Sequence, residues 1–332
     1  MRTASFFYNL PPKLIAQHPI KPRDRSRLLV LRRGFKKLEH RRFDDLPQLL
    51  RPNDVLVFNN SKVFKARLMG RKITGGKLEV FLLRAIKSNV WEVLIGGRGG
   101  DAGLKVNFGK KLAGAIIEKQ DSVRLMRFNL SGKKLQNEID RLGSVPLPPY
   151  IKSRARLDEY QTVYAKTRGS VAAPTAGLHF TKKLLAVLKK KGIKLEYVTL
   201  HVGLGTFAPI KTGKIEDHQI HSEWASIDAS TAKRLNQYKR EGRRIIAVGT
   251  TTVRTLESFA GVRGTRDVNL YITPGYKFKF VDAMITNFHL PQSSLLVLVS
   301  AFAGHKKIMT AYKTAIVKKY RFYSFGDAML IL

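Results

Sequence analysis

Two different hydrophobic patterns follow one another along this chain, and they meet at a proline-rich segment. Between residues 65 and about 144, short runs in which apolar and polar residues alternate are separated by glycine pairs. This spacing is typical of a small antiparallel β domain, either a barrel or a sandwich. The sequence PLPPY at residues 146–150 follows a predicted helix at 134–142, and its prolines predict a rigid hinge or domain boundary.

After residue 150 the pattern changes to strands that alternate with helices. Apolar runs at residues 195–202 and 245–248 predict buried strands, and amphipathic runs near them predict helices. Thr181 and Ser230 are predicted to cap two of these helices at their N-termini. The alternation predicts an α/β fold in which residues 1–64 and 150–332 form one domain, with residues 65–149 inserted as a β domain.

The net charge of this chain is strongly positive. It carries 61 Lys and Arg residues against 24 Asp and Glu residues, which gives a formal charge of +37. A field of this sign attracts polyanions, and nucleic acid is the usual one. A host whose proteins are basic throughout explains the excess about as well, so charge alone indicates a class of partner and no chemistry.

The chain contains no cysteine. This excludes disulfides, thiolate metal sites, a cysteine nucleophile and radical chemistry that depends on a cysteine-held iron–sulfur cluster. The N-terminal residues lack the apolar core of a signal peptide, and the longest apolar stretch, residues 295–303, is half of the about 20 residues that a membrane span needs. We therefore expect a cytoplasmic protein that does not enter the membrane.

Three predicted strands end in unusually polar segments. They run into residues 201–207, 249–252 and 286–291, which are rich in glycine, threonine and histidine, and the similar segment 172–181 lies upstream. In α/β folds, ligands bind beyond the carboxyl ends of the strands. These segments are therefore predicted to form a ligand site.

The glycines and threonines of these segments suit the binding of a ligand. Gly249, Thr250 and Thr251 open a predicted helix, so their N–H groups and hydroxyls could hold a carboxylate or a phosphate. Gly203 and Gly205 let the backbone approach a ligand closely. An ordinary threonine cap and a tight turn explain the same residues, so neither motif alone establishes a site.

Histidines are concentrated in the same half of the chain. His179, His201, His218, His221 and His289 are five of the eight histidines, and most lie beside these loops or beside acidic residues. One such histidine is more often a core or capping residue than a catalyst, but five favour an acid–base site. The pair in the acidic segment 216–223 suggests a metal site, yet no third ligand has the spacing of a metal motif, so no metal is predicted.

These features leave three functions to weigh: a methyltransferase that uses S-adenosylmethionine, a non-catalytic RNA-binding protein, and an enzyme that acts on RNA. Segment 196–205 superficially resembles the methyltransferase loop, but Phe207, Pro209 and Gly213 follow where a helix should begin. A non-catalytic RNA-binding protein has no need for three polar strand ends. An enzyme that acts on RNA fits all of these features.

Long and unusual sequence strings occur in order from residue 23 to residue 329. They are RDRSRLLVL (23–31), DVLVFNN (54–60), GGKLEV (75–80), PLPPYI (146–151), YQTVYA (160–165), VAAPTAGLHFT (171–181), VTLHVGLGTF (198–207), EDHQIHSE (216–223), VGTTTVRTLES (248–258), PGYKF (274–278), TNFHLP (286–291), LLVLVSAFAG (295–304) and YRFYSFGDAM (320–329). In these strings the whole chain resembles the S-adenosylmethionine:tRNA ribosyltransferase-isomerase family of queuosine biosynthesis. The link between residues 258 and 274 is shorter, and the charge more positive, than is usual in that family.

The resemblance implies a fold, a reaction and partners. The fold would be a large α/β barrel-like catalytic domain that carries an inserted small antiparallel β-barrel domain. The reaction moves the ribosyl part of S-adenosylmethionine, the co-substrate, onto 7-aminomethyl-7-deazaguanine at the wobble position of tRNA, gives epoxyqueuosine, and releases adenine and methionine. The resemblance also implies that no metal is required, that the tRNA anticodon stem-loop is bound and that the protein is a monomer.

The chemistry of this reaction indicates which residues could carry it. The sulfonium acidifies the ribose 5′ hydrogens, so a base is needed, and adenine leaves readily only when an acid protonates it. The acid–base candidates are His179, His201, His289, Glu223 and Asp217. The candidates for substrate binding are Gly203, Gly205, Thr206, Gly249, Thr250, Thr251, Thr175, Asn287 and Arg254, the last as a clamp for the methionine carboxylate. The candidates for contacts with tRNA phosphates are Arg23, Arg25, Arg27, Lys62 and Arg67.

Overall fold

The computed structural model describes residues 1–35, 37–97, 100–120, 123–153, 155–203, 205 and 208–332. In chain order its strands are β1 (Arg27–Leu31), β2 (Leu38–Arg42), β3 (Val55–Asn59), β4 (Ser61–Val63), β5 (Arg67–Lys72), β6 (Lys77–Lys87), β7 (Val90–Gly96), β8 (Lys105–Asn107), β9 (Ala113–Gln120), β10 (Val123–Phe128), β11 (Thr167–Ser170), β12 (Lys194–Leu200), β13 (Glu223–Ile227), β14 (Ile245–Val248), β15 (Gly264–Val268), β16 (Ala283–Asn287) and β17 (Ala328–Ile331). The α-helices are α1 (Leu46–Leu49), α2 (Gly132–Leu142), α3 (Lys182–Lys190), α4 (Ala229–Arg240), α5 (Thr250–Phe259), α6 (Ser294–Ala303) and α7 (His305–Val317).

The larger sheet is mixed, and β3 lies at its centre. Its nine strands follow the order β15-β13-β12-β3-β14-β16-β17-β1-β2. The neighbours β12, β3, β14 and β16 are parallel to one another, whereas β17 runs antiparallel to β16. Every residue of β3, β14 and β16 is buried, which is typical of parallel strands covered on both faces. The carboxyl ends of these parallel strands therefore meet at one edge of the sheet.

Side chains of the central strands alternate between two separate cores. Val55 and Val57 of β3 belong to a buried cluster that also contains the apolar faces of α5, α6 and α7. Leu56 and Phe58 belong to a second cluster, which contains Leu184 of α3. This alternation follows from the period of two that a strand imposes on its side chains. The sheet is therefore a layer between helices, as an α/β fold requires.

The N-termini of two helices test the predicted caps. Thr181 Oγ1 accepts a hydrogen bond from the Leu184 N–H at 3.1 Å and begins α3, as predicted. The prediction for α4 is wrong by two residues, because Asp228 Oδ1 accepts the Thr231 N–H at 2.9 Å and caps the helix. Ser230 instead donates its hydroxyl to Asp228 Oδ1 at 2.6 Å. The carboxylate is as good a cap as serine and occupies the earlier position.

The longest apolar stretch of the sequence forms α6 and lies inside the protein. Leu296, Val297 and Val299 are fully buried in the cluster that also holds residues of α5 and α7. Packing within the protein core therefore accounts for the hydrophobicity of this segment. No helix in the described part of the chain has both the length and the apolar character needed to cross a membrane.

The smaller sheet closes into an antiparallel barrel. Its six strands follow the order β10-β7-β6-β5-β8-β9, and β10 pairs with β9 to complete the circle. Side chains such as Leu68, Val80 and Met126 fill the interior. A Cβ on Gly70 would stand 2.5 Å from Val106 Cγ1, so this position of β5 requires glycine.

The predicted fold class is confirmed, since an α/β domain carries an inserted antiparallel β barrel. The barrel strands lie between residues 67 and 128, within the segment 65–149 that the sequence assigns to the inserted domain. The larger domain, expected to be barrel-like, is built on the nine-stranded sheet, whose strand order ends at β15 and β2. The division into residues 1–64 plus 150–332 and residues 65–149 stays a prediction.

A buried ion pair holds the start of β3, and we expect its loss to destabilise the fold. Asp54 accepts hydrogen bonds from Arg244 Nε at 2.9 Å, from Arg244 Nη2 at 2.6 Å and from the Arg51 N–H at 2.7 Å. Asp54→Ala leaves these donors without an acceptor, so the free energy of unfolding should fall by about 3 kcal/mol. Urea denaturation followed by circular dichroism measures this change.

The matched control is Arg25→Ala, which removes a more exposed ion pair. Arg25 Nη1 lies 3.3 Å from Asp44 Oδ2, and 56% of the Arg25 side chain is exposed. Solvent screens such a pair, so its loss should cost less than about 1 kcal/mol. If both variants lost the same free energy of unfolding, the buried ion pair of Asp54 would contribute no more than an exposed one.

Candidate functional site

A cleft of about 520 Å³ opens at the edge of the larger sheet where the parallel strands end. Residues that follow β12, β14 and β16 form its walls, together with the 3-10 turn Thr175–His179. The described residues that line it are Tyr150, Ala173, Pro174, Thr175, Ala176, Val202, Gly249, Thr250, Thr251, Thr286, Asn287, Phe288, His289, Leu290, Leu295, Tyr323 and Ser324. The structure therefore brings together the predicted segments around residues 173–176, 249–251 and 286–290, whereas the segment after β12 contributes only Val202 to the described lining.

The described lining of the cleft is uncharged apart from any proton on His289. It contains aromatic, aliphatic and neutral polar side chains, with no lysine, arginine, aspartate or glutamate among them. This contrasts with the formal charge of +37 on the whole chain. A cleft of this kind holds a ligand by shape and by a few directed hydrogen bonds.

Gly249, Thr250 and Thr251 lie at the N-terminus of α5 and in the wall of the cleft, where the sequence predicts them. Gly249 has a φ of +92°, a conformation that favours glycine. Thr251 Oγ1 accepts a hydrogen bond from Asn59 Nδ2 at 3.4 Å. The first N–H groups of a helix have no acceptor within the helix, so this wall can bind an anionic group. Thr175 lines the same cleft.

His179 is buried beside the cleft and bonds at both ring nitrogens. Ser26 Oγ lies 2.8 Å from Nδ1, and Asn287 Nδ2 lies 3.2 Å from Nε2. The ring also stacks on Phe43, with 4.9 Å between the centroids. Burial, together with the charges of Arg321 and Arg23, lowers the pKa of His179 to about 3. The imidazole is therefore neutral at physiological pH.

A smaller pocket of about 230 Å³ adjoins the cleft and shares Ser324 with it. Its described lining consists of Pro19, Ile20, Arg23, Ser26, Leu178, His179, Ser324, Phe325 and Gly326. His179 lines this smaller pocket, whereas its partner Asn287 lines the cleft. The pair therefore stands between the two cavities.

His289 follows β16 and is part of the cleft wall. Its Nε2 lies 2.7 Å from Thr286 Oγ1, and its backbone N–H donates to Tyr312 Oη at 2.9 Å. The Tyr8 hydroxyl donates a short hydrogen bond to the His289 carbonyl. Burial lowers the pKa of His289 to about 3. Hydrogen bonds therefore hold both the N–H and the carbonyl of His289, and these bonds fix the position of this residue in the cleft wall.

His201 lies next to the cleft residue Val202 but outside the described lining. Its ring stacks on Trp224, with 4.7 Å between the centroids and an interplanar angle of 15°. Its Nδ1 is buried and has no hydrogen-bond partner among the residues that the structure describes, and burial lowers the pKa of His201 to about 4. Gly169 has a φ of +149°, and its lack of a Cβ makes room for this imidazole.

Glu223 and Arg254 form a buried ion pair outside the described lining of the cleft. Arg254 Nη1 donates a short hydrogen bond to Glu223 Oε2, while Glu223 Oε1 accepts the Gly203 N–H at 2.8 Å. Arg254 also donates to the carbonyls of Leu270 at 3.1 Å and Val268 at 3.0 Å. These contacts hold the Gly203 backbone and engage all three nitrogens of the Arg254 guanidinium, and the role of Arg254 as a carboxylate clamp stays a prediction.

The remaining predicted residues of this half lie in different surroundings. Gly205 lies against the His221 ring, so closely that a Cβ on Gly205 would stand 2.2 Å from His221 Cδ2. Thr206 lies outside the described residues. Asp217 is exposed at the end of the 3-10 turn Ile215–Asp217, away from the described cleft lining. No group of three or more His, Cys, Asp or Glu side chains in the described ranges is arranged to hold a metal ion, and the metal-free reaction stays a prediction.

Of the predicted phosphate contacts, Arg23 and Arg27 have partners in the protein. Arg23 donates to the carbonyls of Gln161 at 2.7 Å and Asp158 at 2.6 Å, and burial lowers its pKa. Arg27 Nη1 donates to the Lys318 carbonyl at 2.7 Å, and its guanidinium lies 3.7 Å from the centroid of the Tyr320 ring. Both guanidinium groups are therefore engaged in contacts within the protein.

Arg25, Arg67 and Lys62 are more accessible. Arg25 pairs with Asp44, and Arg67 Nη1 lies 3.4 Å from Glu79 Oε2. Lys62 is exposed in the middle of β4. Exposed cations of this kind are available to a phosphate, so Lys62 and Arg25 are the better placed of the five candidates.

The sequence prediction misses several residues of the site. Tyr150 Oη and Ser324 Oγ lie 2.7 Å apart in the cleft, and Tyr323 has a φ of +69°, which is unusual for a bulky residue. Ser26 bonds the ring of His179. All four lie in the strings RDRSRLLVL, PLPPYI and YRFYSFGDAM, which are the signal that could have identified them.

The neutral buried histidines predict a loss of stability in acid. The pKa of His179 and of His289 lies near 3 in the folded chain, below the usual value of about 6.5 in an unfolded one. The unfolded state therefore binds more protons below pH 6.5, and the stability contribution is complete above that pH and is lost as the pH falls from about 6.5 toward 3. We expect His289→Gln to lower the slope of unfolding free energy against pH by about 1.4 kcal/mol per pH unit between pH 5.5 and 4.5. Urea denaturation across this range measures it, and an unchanged slope would contradict the burial effect.

Comparison with known proteins agrees with this architecture. A family model described as "Queuosine biosynthesis protein" matches residues 3–331. Proteins from Thermotoga maritima and Desulfitobacterium hafniense, both named S-adenosylmethionine:tRNA ribosyltransferase-isomerase, are 46% and 50% identical to this chain, with complete coverage of both sequences. The crystal structure of a Thermotoga maritima S-adenosylmethionine tRNA ribosyltransferase matches with a TM-score of 0.58 and 37% identity over 99% of this chain and 100% of that one. This chain therefore belongs to the queuosine biosynthesis protein family.

Proposed function

We propose that this chain is an S-adenosylmethionine:tRNA ribosyltransferase-isomerase. It transfers the ribosyl moiety of S-adenosylmethionine onto 7-aminomethyl-7-deazaguanine at the wobble position of tRNA and isomerises it, which gives epoxyqueuosine and releases adenine and methionine. The observation that carries this proposal is the end-to-end similarity to relatives named for that activity, at 46% and 50% identity.

The uncharged cleft suits a substrate that brings its own positive charge. Tyr150 and Tyr323 line the cleft, and aromatic faces attract cations such as a sulfonium. A neutral base that takes a ribose 5′ proton acquires the charge that the sulfonium loses when it becomes a ylide. The cleft then holds one positive charge before and after the step, which limits the electrostatic cost of the transfer in a site of low polarity.

His289 is the acid–base residue that the geometry favours, because its ring lines the cleft. As a neutral imidazole it can accept the 5′ proton. Burial lowers the pKa of His289 to about 3, so the imidazolium is a strong acid and readily gives the proton to the departing adenine. His179 and His201 lie outside this wall, and Asp217 is exposed. Glu223 is already engaged by Arg254 and the Gly203 N–H.

The N-terminus of α5 is the place that we assign to the methionine carboxylate. Thr250 and Thr251 combine N–H groups of the first helical turn with hydroxyls in the cleft wall, and Gly249, whose N–H donates to the Ile285 carbonyl at 2.8 Å, precedes them. This replaces the predicted clamp by Arg254, whose donors are directed to Glu223 and to two carbonyls. Thr175 and Asn287 stay candidates for contacts with the adenosyl part, and Gly203, Gly205 and Thr206 for an adjoining loop.

The tRNA contacts, the oligomeric state and the location in the cell complete the proposal. The anticodon stem-loop must reach the cleft, and a positively charged protein surface favours its approach. We assign phosphate contacts to Lys62 and Arg25, with Arg67, Arg23 and Arg27 as further candidates. We also propose that the protein is a metal-independent monomer in the cytoplasm.

Mass analysis of the RNA product tests the function directly. An anticodon stem-loop that carries 7-aminomethyl-7-deazaguanine is incubated with the protein, S-adenosylmethionine and a metal chelator. We expect the RNA to gain a dehydrated ribosyl unit while adenine and methionine appear in solution. A gain of one methyl group would indicate a methyltransferase instead. Tight RNA binding without any change of mass would indicate a non-catalytic RNA-binding protein.

A second experiment tests the role of His289. We expect His289→Ala to lower kcat by about 10²–10⁴-fold, because the variant lacks the group that accepts the ribose 5′ proton and protonates adenine. The control is His305→Ala at the start of α7, a histidine outside the described cleft lining, which should leave kcat unchanged. Steady-state kinetics with S-adenosylmethionine measure both variants. A fully active His289→Ala enzyme would remove His289 from the mechanism.

A further inference from the structure

One buried hydrogen-bond acceptor at the cleft has no partner among the described residues. Asn287, the last residue of β16, is 3% exposed and lines the cleft. Its Nδ2 donates to the Tyr323 carbonyl at 3.0 Å and lies 3.2 Å from His179 Nε2, whereas Oδ1 is buried without a partner. A buried acceptor without a donor costs about 1–3 kcal/mol, so native proteins rarely keep one without a use.

The contacts of the carboxamide determine which of its two ends is the amine. The Tyr323 carbonyl can only accept a hydrogen bond, so the atom beside it must be Nδ2 and not the oxygen. The second hydrogen of this amine is available to His179 Nε2, which must then be the acceptor. The ring hydrogen therefore lies on Nδ1, where Ser26 Oγ stands 2.8 Å away to accept it.

The surroundings of His179 maintain this arrangement. The ring stacks on Phe43 at an interplanar angle of 25° and is 4% exposed. Burial lowers the pKa of His179 to about 3, so the Nε2 lone pair stays available at physiological pH. The chain of bonds from Ser26 through His179 to Asn287 thus leaves the Asn287 carbonyl oxygen without a partner in the described part of the chain.

We propose that His179 is a positioning residue, whose Nε2 locks the Asn287 carboxamide so that Oδ1 accepts a hydrogen bond from an N–H group of S-adenosylmethionine. This inference rests on the proposed function and deepens it, since it gives His179 a role other than proton transfer. Two groups of the substrate offer such an N–H, the adenine amine and the α-ammonium group. A carboxamide oxygen accepts from either.

Calorimetric titration of S-adenosylmethionine into variants, together with kcat, tests the proposal. Asn287→Ala removes the acceptor and should weaken binding about tenfold. His179→Ala frees the carboxamide and should also weaken binding. His179→Gln supplies a carbonyl oxygen that accepts from Asn287 Nδ2 but cannot take part in acid–base chemistry near neutral pH, so it should restore affinity and kcat close to the wild-type values. The matched control is Ser300→Ala. It removes a hydroxyl of α6 that, like Asn287 Oδ1, is buried without a partner among the described residues, but that lies outside the described cleft lining. This variant should change neither the affinity for S-adenosylmethionine nor kcat.

The outcomes separate positioning from other roles. A His179→Gln enzyme that binds S-adenosylmethionine normally but loses kcat as strongly as His179→Ala would identify proton transfer and overturn the proposal. Unchanged affinity in both Asn287→Ala and His179→Ala would overturn it as well. Nitrogen-15 NMR of the wild-type protein needs no variant: we expect the Nδ1–H tautomer of His179, and the Nε2–H tautomer would contradict the arrangement.

A second ligand distinguishes the two possible donors. The probe is 5′-methylthioadenosine, which keeps the adenine amine and lacks the amino acid. If Asn287→Ala weakens both ligands by the same factor, Oδ1 binds the adenine amine. If it weakens only S-adenosylmethionine, Oδ1 binds the ammonium group. A wild-type protein that binds neither ligand would overturn the proposed function itself, and this result differs from a failure confined to the variants.

Discussion

The parallel alignment of β12, β3, β14 and β16 is the constraint on which the rest of the structure depends. The register sets Val55 of β3 beside Lys194 and Ile245, so these neighbouring strands begin level with one another and run in the same direction. Their carboxyl ends therefore deliver three polar segments to one edge of the sheet. Because both faces of the central strands are buried under helices, this edge is where a ligand can reach the sheet.

The chemistry of burial explains how charge is distributed in this protein. A net charge of +37 is spread over the surface, but ionised groups enter the interior only with partners, as Arg254 does with Glu223 and Arg244 with Asp54. Those pairs are used to hold loops and strand ends. The groups left to face the cleft are neutral, and burial keeps its histidine, His289, unprotonated. The site therefore relies on directed hydrogen bonds and on the charge of its substrate.

Local sequence chemistry predicts some elements well and others poorly. Thr181 is correctly predicted as a cap because the hydroxyl and the helix N–H that it binds are three residues apart. Ser230 fails because Asp228 offers a competing acceptor two residues earlier, and only the path of the chain from β13 decides between them. The partner of Arg254 is equally hidden from local sequence chemistry, since Glu223 lies 31 residues away along the chain.

The sequence by itself determined the α/β class, the inserted β domain, the polar strand ends and, through its long strings, the family. Each of these depends on residues close together in the chain or on whole strings. Only the tertiary structure decided which histidine lines the cleft, which one supports Asn287, and that Ser26 and Tyr323 complete that network. Those contacts join residues that are 36 to 153 positions apart. Their geometry and burial, and with these the pKa values of the rings, arise only when the sheet is assembled.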